Sequence, residues 1–214
     1  MSHSSKLQIF IISLSLLFTA GVALAQETTT ADVSQEINID ENIQPQDLGV
    51  SEPQILPDSP FYFLKNLGRG IQQAIAFNPI KKAELRLKFS NEKLLEVKKL
   101  AEKKDDPEII KKAVENYRQE VEKIKTQTEK IKEKASQNEE VGKFLDKFIK
   151  QQSLQQRILE KLESQVPAET FEKIKAAREE HLQRFGEVMT RLENKENIQE
   201  RLEKNLEEIK GSDF

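Results

Sequence analysis

The sequence predicts an all-α fold, and three observations carry that prediction. Apolar residues recur three, four and seven apart from residue 61 almost to the C-terminus, which is the spacing of one helix face. Helix-start signals recur as a hydrogen-bonding residue before proline, at Ser59-Pro60, Asn78-Pro79 and Asp106-Pro107, with Pro167 opening a further helix. No run combines strict alternation with β-branched or aromatic enrichment, so no strand is expected. The architecture expected is a coiled-coil-like bundle of extended helical hairpins, about six helices in all, after a signal peptide and a disordered acidic tether.

The elements follow in order. Residues 1–25 have Lys6 as their only lysine or arginine, an apolar run from Leu7 to Leu24, and Ala23-Leu24-Ala25 in the small-x-small pattern cut by signal peptidases. They read as a cleaved secretory signal, so the protein is expected to be exported. The alternative is an anchor formed by residues 7–24, at about 18 residues the lower limit of a spanning helix. Residues 26–57 are rich in acids (Glu27, Asp32, Glu36, Asp40, Glu41, Asp47, Glu52), lack lysine and arginine, and hold few large apolar groups. That composition predicts a disordered acidic linker.

A first helix after Ser59-Pro60 places Phe61, Leu64, Leu67, Ile71, Ala74 and Ile75 on one apolar face, with Lys65 and Arg69 off it. Core packing is expected for that face, and rest on a membrane surface is the alternative. Gly68 and Gly70 interrupt this helix and suggest a bend or the close approach of another helix. The second helix, from Pro79, carries the seam Ile80, Leu87, Leu94, Ala101, partly filled by Ala83 and Val97. The third, from Pro107 to about Ala135, carries Ile110, Tyr117, Ile124 and Ile131 with Val114, Val121, Thr128 and Ala135 four residues after each. With so short a turn between them, the second and third helices should form an antiparallel hairpin.

Ser136 with Glu139 suggests a capping box for a fourth helix to about Gln165, built on Val141, Leu145, Phe148, Leu159, Leu162 and Val166 and interrupted by Gln151-Gln152 and Gln155-Gln156. The fifth carries Phe171, Ile174, Arg178, His181, Phe185, Val188 and Leu192. The sixth, from about Glu196, carries Ile198, Leu202, Leu206 and Ile209 and stops near Gly211. The expected division is a helical domain at 58–136 and a C-terminal helical hairpin or bundle at 137–214.

The opening Leu56-Pro57-Asp58-Ser59-Pro60-Phe61-Tyr62-Phe63-Leu64-Lys65, the Phe77-Asn78-Pro79 junction and Lys82-Ala83-Glu84-Leu85-Arg86-Leu87 together resemble a bacterial domain family of unknown function. The resemblance covers about residues 53–135. It implies occurrence in exported proteins and beside membrane anchors, including anti-sigma-factor-like proteins, and it brings no catalytic residues.

The chemical inventory points the same way. The chain has no cysteine, which excludes thiol catalysis and disulfides, and no tryptophan. After residue 25 the one histidine is His181, on a helix stripe one turn before Phe185, where partial burial is expected rather than a metal or base role. Asp105-Asp106 and Glu139-Glu140 read as helix-start acids without the glycine and spaced oxygens of a calcium loop. Gly68-Arg69-Gly70 lacks the strand and further glycines of a phosphate loop. The net charge of −3 disfavours nucleic acid.

No catalytic, cofactor or metal residue is therefore assigned. The function expected is non-enzymatic protein–protein contact in the cell envelope or outside the cell, with self-association compatible. The alternatives are a chaperone-like helical clamp and, from another class, a hydrolase acting through paired carboxylates.

Cleavage after Ala25 predicts Gln26 as the mature N-terminus. Intact-mass measurement on exported protein checks this, and a mass retaining residues 1–25 would establish an anchor instead.

Overall fold

The computed structural model describes residues 43–103 and 105–212. The segments read as signal peptide (1–25) and as the first part of the tether (26–42) lie outside the described residues. Among those described, the chain is all-α, with six helices packed as a bundle and no strand: α1 (Tyr62–Ile75), α2 (Pro79–Glu102), α3 (Pro107–Thr128), α4 (Glu139–Gln165), α5 (Ala168–Leu192) and α6 (Ile198–Ser212).

Two expected starts are built as the sequence implies. Asn78 Oδ1 accepts from the Ile80 N–H at 2.7 Å, and Asp106 Oδ1 accepts from the Glu108 N–H at 2.8 Å, each just ahead of its proline. At α4 the cap is Asn138 rather than Ser136. Its Oδ1 accepts from the Glu140 N–H at 2.9 Å, while the Ser136 hydroxyl accepts from the Asn194 side chain at 3.0 Å.

α3 stops at Thr128, about two turns before the expected Ala135, although no glycine or proline intervenes. The cause is tertiary. Arg191 of α5 donates to the carbonyls of Glu129 and Ile131, Lys134 donates to the Glu193 carbonyl, and the Ala135 N–H donates to the Leu192 carbonyl at 2.8 Å. Bonds to the end of α5 replace the helical ladder, and Ile131 is buried there without being helical.

The α2–α3 hairpin has the expected seams. Ile80, Ala83, Leu87, Leu94 and Val97 are buried, as are Ile110, Val114, Tyr117, Val121 and Ile124, with Ala101 half-buried. Packing crosses the expected boundary at 136–137. α3 lies beside α5 and α2 beside α4, so Leu94 and Tyr117 share one core with Leu159 and Ile174. α2 explains why: it also buries Phe89, Leu95 and Leu100, more apolar surface than a single partner helix covers. Ion pairs Arg118–Glu180 at 2.6 Å and Arg184–Glu122 at 2.5 Å fix α3 and α5 in parallel register. α6 packs on α4 through Arg201, which reaches Asp146 at 2.5 Å.

The tether is corrected as well. Residues 43–57 are ordered against the bundle, with Ile43, Leu48, Val50 and Leu56 buried in the same core. The segment turns at 45–50, where the Val50 N–H reaches the Pro45 carbonyl and the Gly49 N–H the Gln46 carbonyl. Gly49 sits at φ 67°, the left-handed conformation such a stop requires. The few apolar residues of this acidic stretch suffice because its backbone is bound too: Asn91 donates to the Leu48 carbonyl at 2.7 Å and Gln151 to the same oxygen at 3.2 Å, while Lys99 pairs with Glu52 at 2.9 Å.

Leu48→Ala and Leu94→Ala are each expected to lower stability by about 2–5 kcal/mol, and Lys98→Ala by no more than about 0.5 kcal/mol. Urea unfolding followed by circular dichroism measures all three. A silent Leu48→Ala would mean that the 43–57 segment contributes nothing to the core.

Candidate functional site: an apolar helix face turned outward

At 100° per residue, α1 is divided into two unlike sides. Phe63, Leu64, Leu67, Ile71, Ala74 and Ile75 occupy one, and Tyr62, Lys65 and Arg69 the other. The expectation is that the face of Phe61, Leu64, Leu67, Ile71, Ala74 and Ile75 enters the core. The structure has the reverse orientation: Leu67 is 58% exposed, Ile71 55%, Ile75 65% and, just after the helix, Phe77 89%, whereas Tyr62 and Arg69 are buried.

The reason lies on α2, where Glu96 is 1% exposed at a position facing α1. A carboxylate removed from water needs cationic and hydrogen-bonding partners. α1 supplies them: the Tyr62 hydroxyl donates at 2.6 Å, Arg69 Nη2 at 2.8 Å and Lys65 Nζ lies at 2.7 Å. Arg69 also binds Glu92 through Nε and Nη2, at 3.0 and 2.8 Å, and lies over the Phe89 ring at 5.9 Å. Burial and the adjacent Glu96 push the Tyr62 phenol far above its usual range. The Arg69 guanidinium, despite its burial, is held above its usual value by Glu96 and Glu92. Removing one side of such a buried pair typically costs about 3–5 kcal/mol, because the other charge is stranded. α1 is therefore clamped by its charged side, and its apolar side is left facing solvent.

Gly68 and Gly70 have no account among the described residues. Outside the helix's own backbone, none of those residues brings an atom within 4 Å of where a Cβ would stand on either, and each costs the helix about 1 kcal/mol relative to alanine. Gly68 lies at the edge of the apolar side, one turn from both Leu64 and Ile71.

A second polar cluster lies inside the bundle, with a residue from each of α2 to α5. Asn91 donates to Gln151 at 2.8 Å, Gln155 donates to Ser90 at 3.0 Å and to Asn91, and the Tyr117 hydroxyl lies 2.9 Å from Gln155 Oε1 and 2.8 Å from His181 Nδ1. His181 Nε2 lies 3.1 Å from the Gln152 carbonyl, which only accepts, so Nε2 carries the proton and Nδ1 accepts from Tyr117. Of the glutamines expected to interrupt the α4 seam, Gln151, Gln152 and Gln155 are buried members of this layer, while Gln156, also buried, donates to Glu160 at 2.8 Å. His181 is more enclosed than expected, at 1% exposed. Burial lowers its pKa to about 4, opposed only in part by the Gln152 carbonyl. Enclosure and mutual hydrogen bonding make the layer a register-fixing element of the core, not a site open to a ligand. Among the described residues no three His, Asp or Glu stand together as metal ligands, and no helix is long and apolar enough to cross a membrane.

The model of the family Domain of unknown function (DUF5667) matches residues 54–169, more than half of the chain. The chain belongs to this family. The DUF5667 match takes in the clamped α1, the α2–α3 hairpin and all of α4, so it reaches well past the 53–135 marked by the opening motifs and includes both partners of the α2–α4 contact. No curated protein and no solved structure matches the chain.

His181 generates a pH prediction. Its folded pKa lies below the ordinary 6.5, so the unfolded state binds the proton more readily, and the associated stability is full above about pH 6.5 and declines as pH falls toward 4. The loss from pH 7 to pH 5 should be roughly 2 kcal/mol. Urea unfolding at both pH values measures it, with His181→Gln expected to lose distinctly less over the same interval; an equal loss in both proteins would remove His181 as the cause.

Proposed function

We propose that this DUF5667 protein is an exported, non-enzymatic helical module that acts by protein–protein contact through the outward side of α1. The observation that carries the reading is the stripe Phe63, Leu64, Leu67, Ile71 and Ile75, extended by Phe61 and Phe77, all about half exposed or more. A contiguous apolar patch beyond a few hundred Å² on a folded domain marks an interaction surface. The rest of the molecule gives this one point: the helix is fixed by buried ion pairs, so its orientation is not a fluctuation of a loosely held segment.

A clamp for unfolded clients fits less well. Such a role calls for a concave or adaptable apolar surface, whereas this stripe is the convex side of one short helix. A carboxylate hydrolase is disfavoured by the neighbours of the buried acids. Glu96 and Glu120 are each 2% exposed or less and are engaged by cations, Glu120 by Arg86 at 2.8 Å and Lys93 at 3.0 Å.

The test is capture of partners from cell-envelope fractions on immobilised protein. Leu67→Glu/Ile71→Glu changes only outward-facing side chains, so its circular dichroism and unfolding midpoint should match the parent while specific capture falls by about tenfold or more. Undiminished capture by that variant would place the contact elsewhere.

A further inference from the structure

The partner class for the α1 stripe follows from what this helix does with its cations, from its glycines and from its area. We propose that the stripe is covered by a second copy of the same chain, α1 packing against α1 across a two-fold axis with the crossing point at Gly68; the inference rests on the reading that α1 is the contact surface.

A bilayer is the first competitor, and the electrostatics disfavour it. An interfacial helix flanks its apolar side with lysines and arginines that reach lipid headgroups. In α1 both cations are turned the other way, Lys65 and Arg69 onto Glu96 and Glu92. α1 presents no charge of either sign on its outward side. That neutrality is what an isologous contact needs, because a two-fold axis brings each residue near its own copy and any charge near a like charge.

The glycines supply a second, independent observation. Among the described residues nothing occupies the space beside Gly68 or Gly70, so no contact described there explains their place in a helix that they weaken. Close approach of another helix backbone explains Gly68, at the border of the stripe with Leu64 and Ile71 one turn away on either side; Gly70, two residues on, lies on the opposite border and is not accounted for by the same crossing. A lipid surface gains nothing from a glycine there. The area agrees: seven large apolar side chains half to nine-tenths exposed amount to roughly 800 Å², the share one partner contributes to a standard stable interface.

Light scattering after size exclusion on the purified protein at about 10–100 μM should give the mass of a dimer. Leu67→Glu/Ile71→Glu should be monomeric, and Gly68→Leu, which has open space in the monomer, should weaken association by about tenfold or more while leaving the helix content intact. Because the chain has no cysteine, a single one reports on the contact directly. Gly68→Cys should form a disulfide-linked dimer under mild oxidation, and Lys147→Cys, exposed on α4, should not.

A monomer throughout that range overturns the proposal, as does a dimer indifferent to Leu67→Glu/Ile71→Glu or linked through position 147 in preference to 68. A monomer that still captures an envelope protein through Leu67 and Ile71 would fail self-association alone and keep the contact surface. A monomer that instead floats with phosphatidylcholine–phosphatidylglycerol vesicles, and loses flotation in the same variant, would assign the stripe to lipid and overturn both.

Discussion

Glu96 is the constraint on which the arrangement of the N-terminal part depends. A carboxylate 1% exposed in the middle of a packed helix must be matched by donors and positive charge. The chain that follows residue 56 is the one that matches it. Once Tyr62, Lys65 and Arg69 are committed to that oxygen pair, helical geometry leaves no choice about where Leu67, Ile71 and Ile75 point. The outward apolar stripe is thus a by-product of an electrostatic requirement on the neighbouring helix, and α1 is oriented against the hydrophobic pattern of its own sequence. Hydrophobic burial of those side chains within the chain would have stabilised the monomer. Forgoing it is consistent with a surface used for contact.

α2 carries three such demands at once. Its seam faces α3, Ser90 and Asn91 face the amides of α4 and the carbonyl of Leu48, and Glu92 and Glu96 face α1. Each polar demand is local and directional, and together they set the register of neighbours that apolar packing alone would leave free to slide. The glutamine–tyrosine–histidine layer does the same for α4 and α5. The bundle is therefore specified by two polar cross-sections, one at its periphery and one at its centre, between stretches of ordinary apolar packing.

Helix number, helix starts and the α2–α3 seams were legible because they depend on local signals: caps before prolines, and heptad spacing over four turns or more. What was illegible depended on partners far away in sequence. The end of α3 is set by Arg191 and Leu192, some sixty residues on, with no breaker at Thr128 to announce it. Residues 43–57 look soluble by composition, yet four apolar side chains and one doubly bound carbonyl hold them in the core. The α1 face was visible as a stripe but was assigned inward, because the rule that apolar faces seek the core has no term for a buried acid on the next helix. Glu96 sits among the charges of a helix 33% of whose parent chain is Asp, Glu, Lys or Arg, and spacing alone does not distinguish it from its solvated neighbours. Gly68 and Gly70 were conspicuous from the start, and it is the lack of any neighbour among the described residues that gives Gly68 its meaning.

The doubly bound carbonyl of Leu48 has a consequence for the order of assembly. One of its donors, Gln151, is 103 residues away along the chain, so the segment made first reaches its final place only after α4 exists. Contacts of such sequence separation are slow to form, since the intervening loop must close before they repay its entropy. The α2–α3 hairpin, closed through a turn of a few residues, is free of that delay. The N-terminal segment thus completes its contacts only once α4 is in place, and until then the apolar groups beneath it lack that cover.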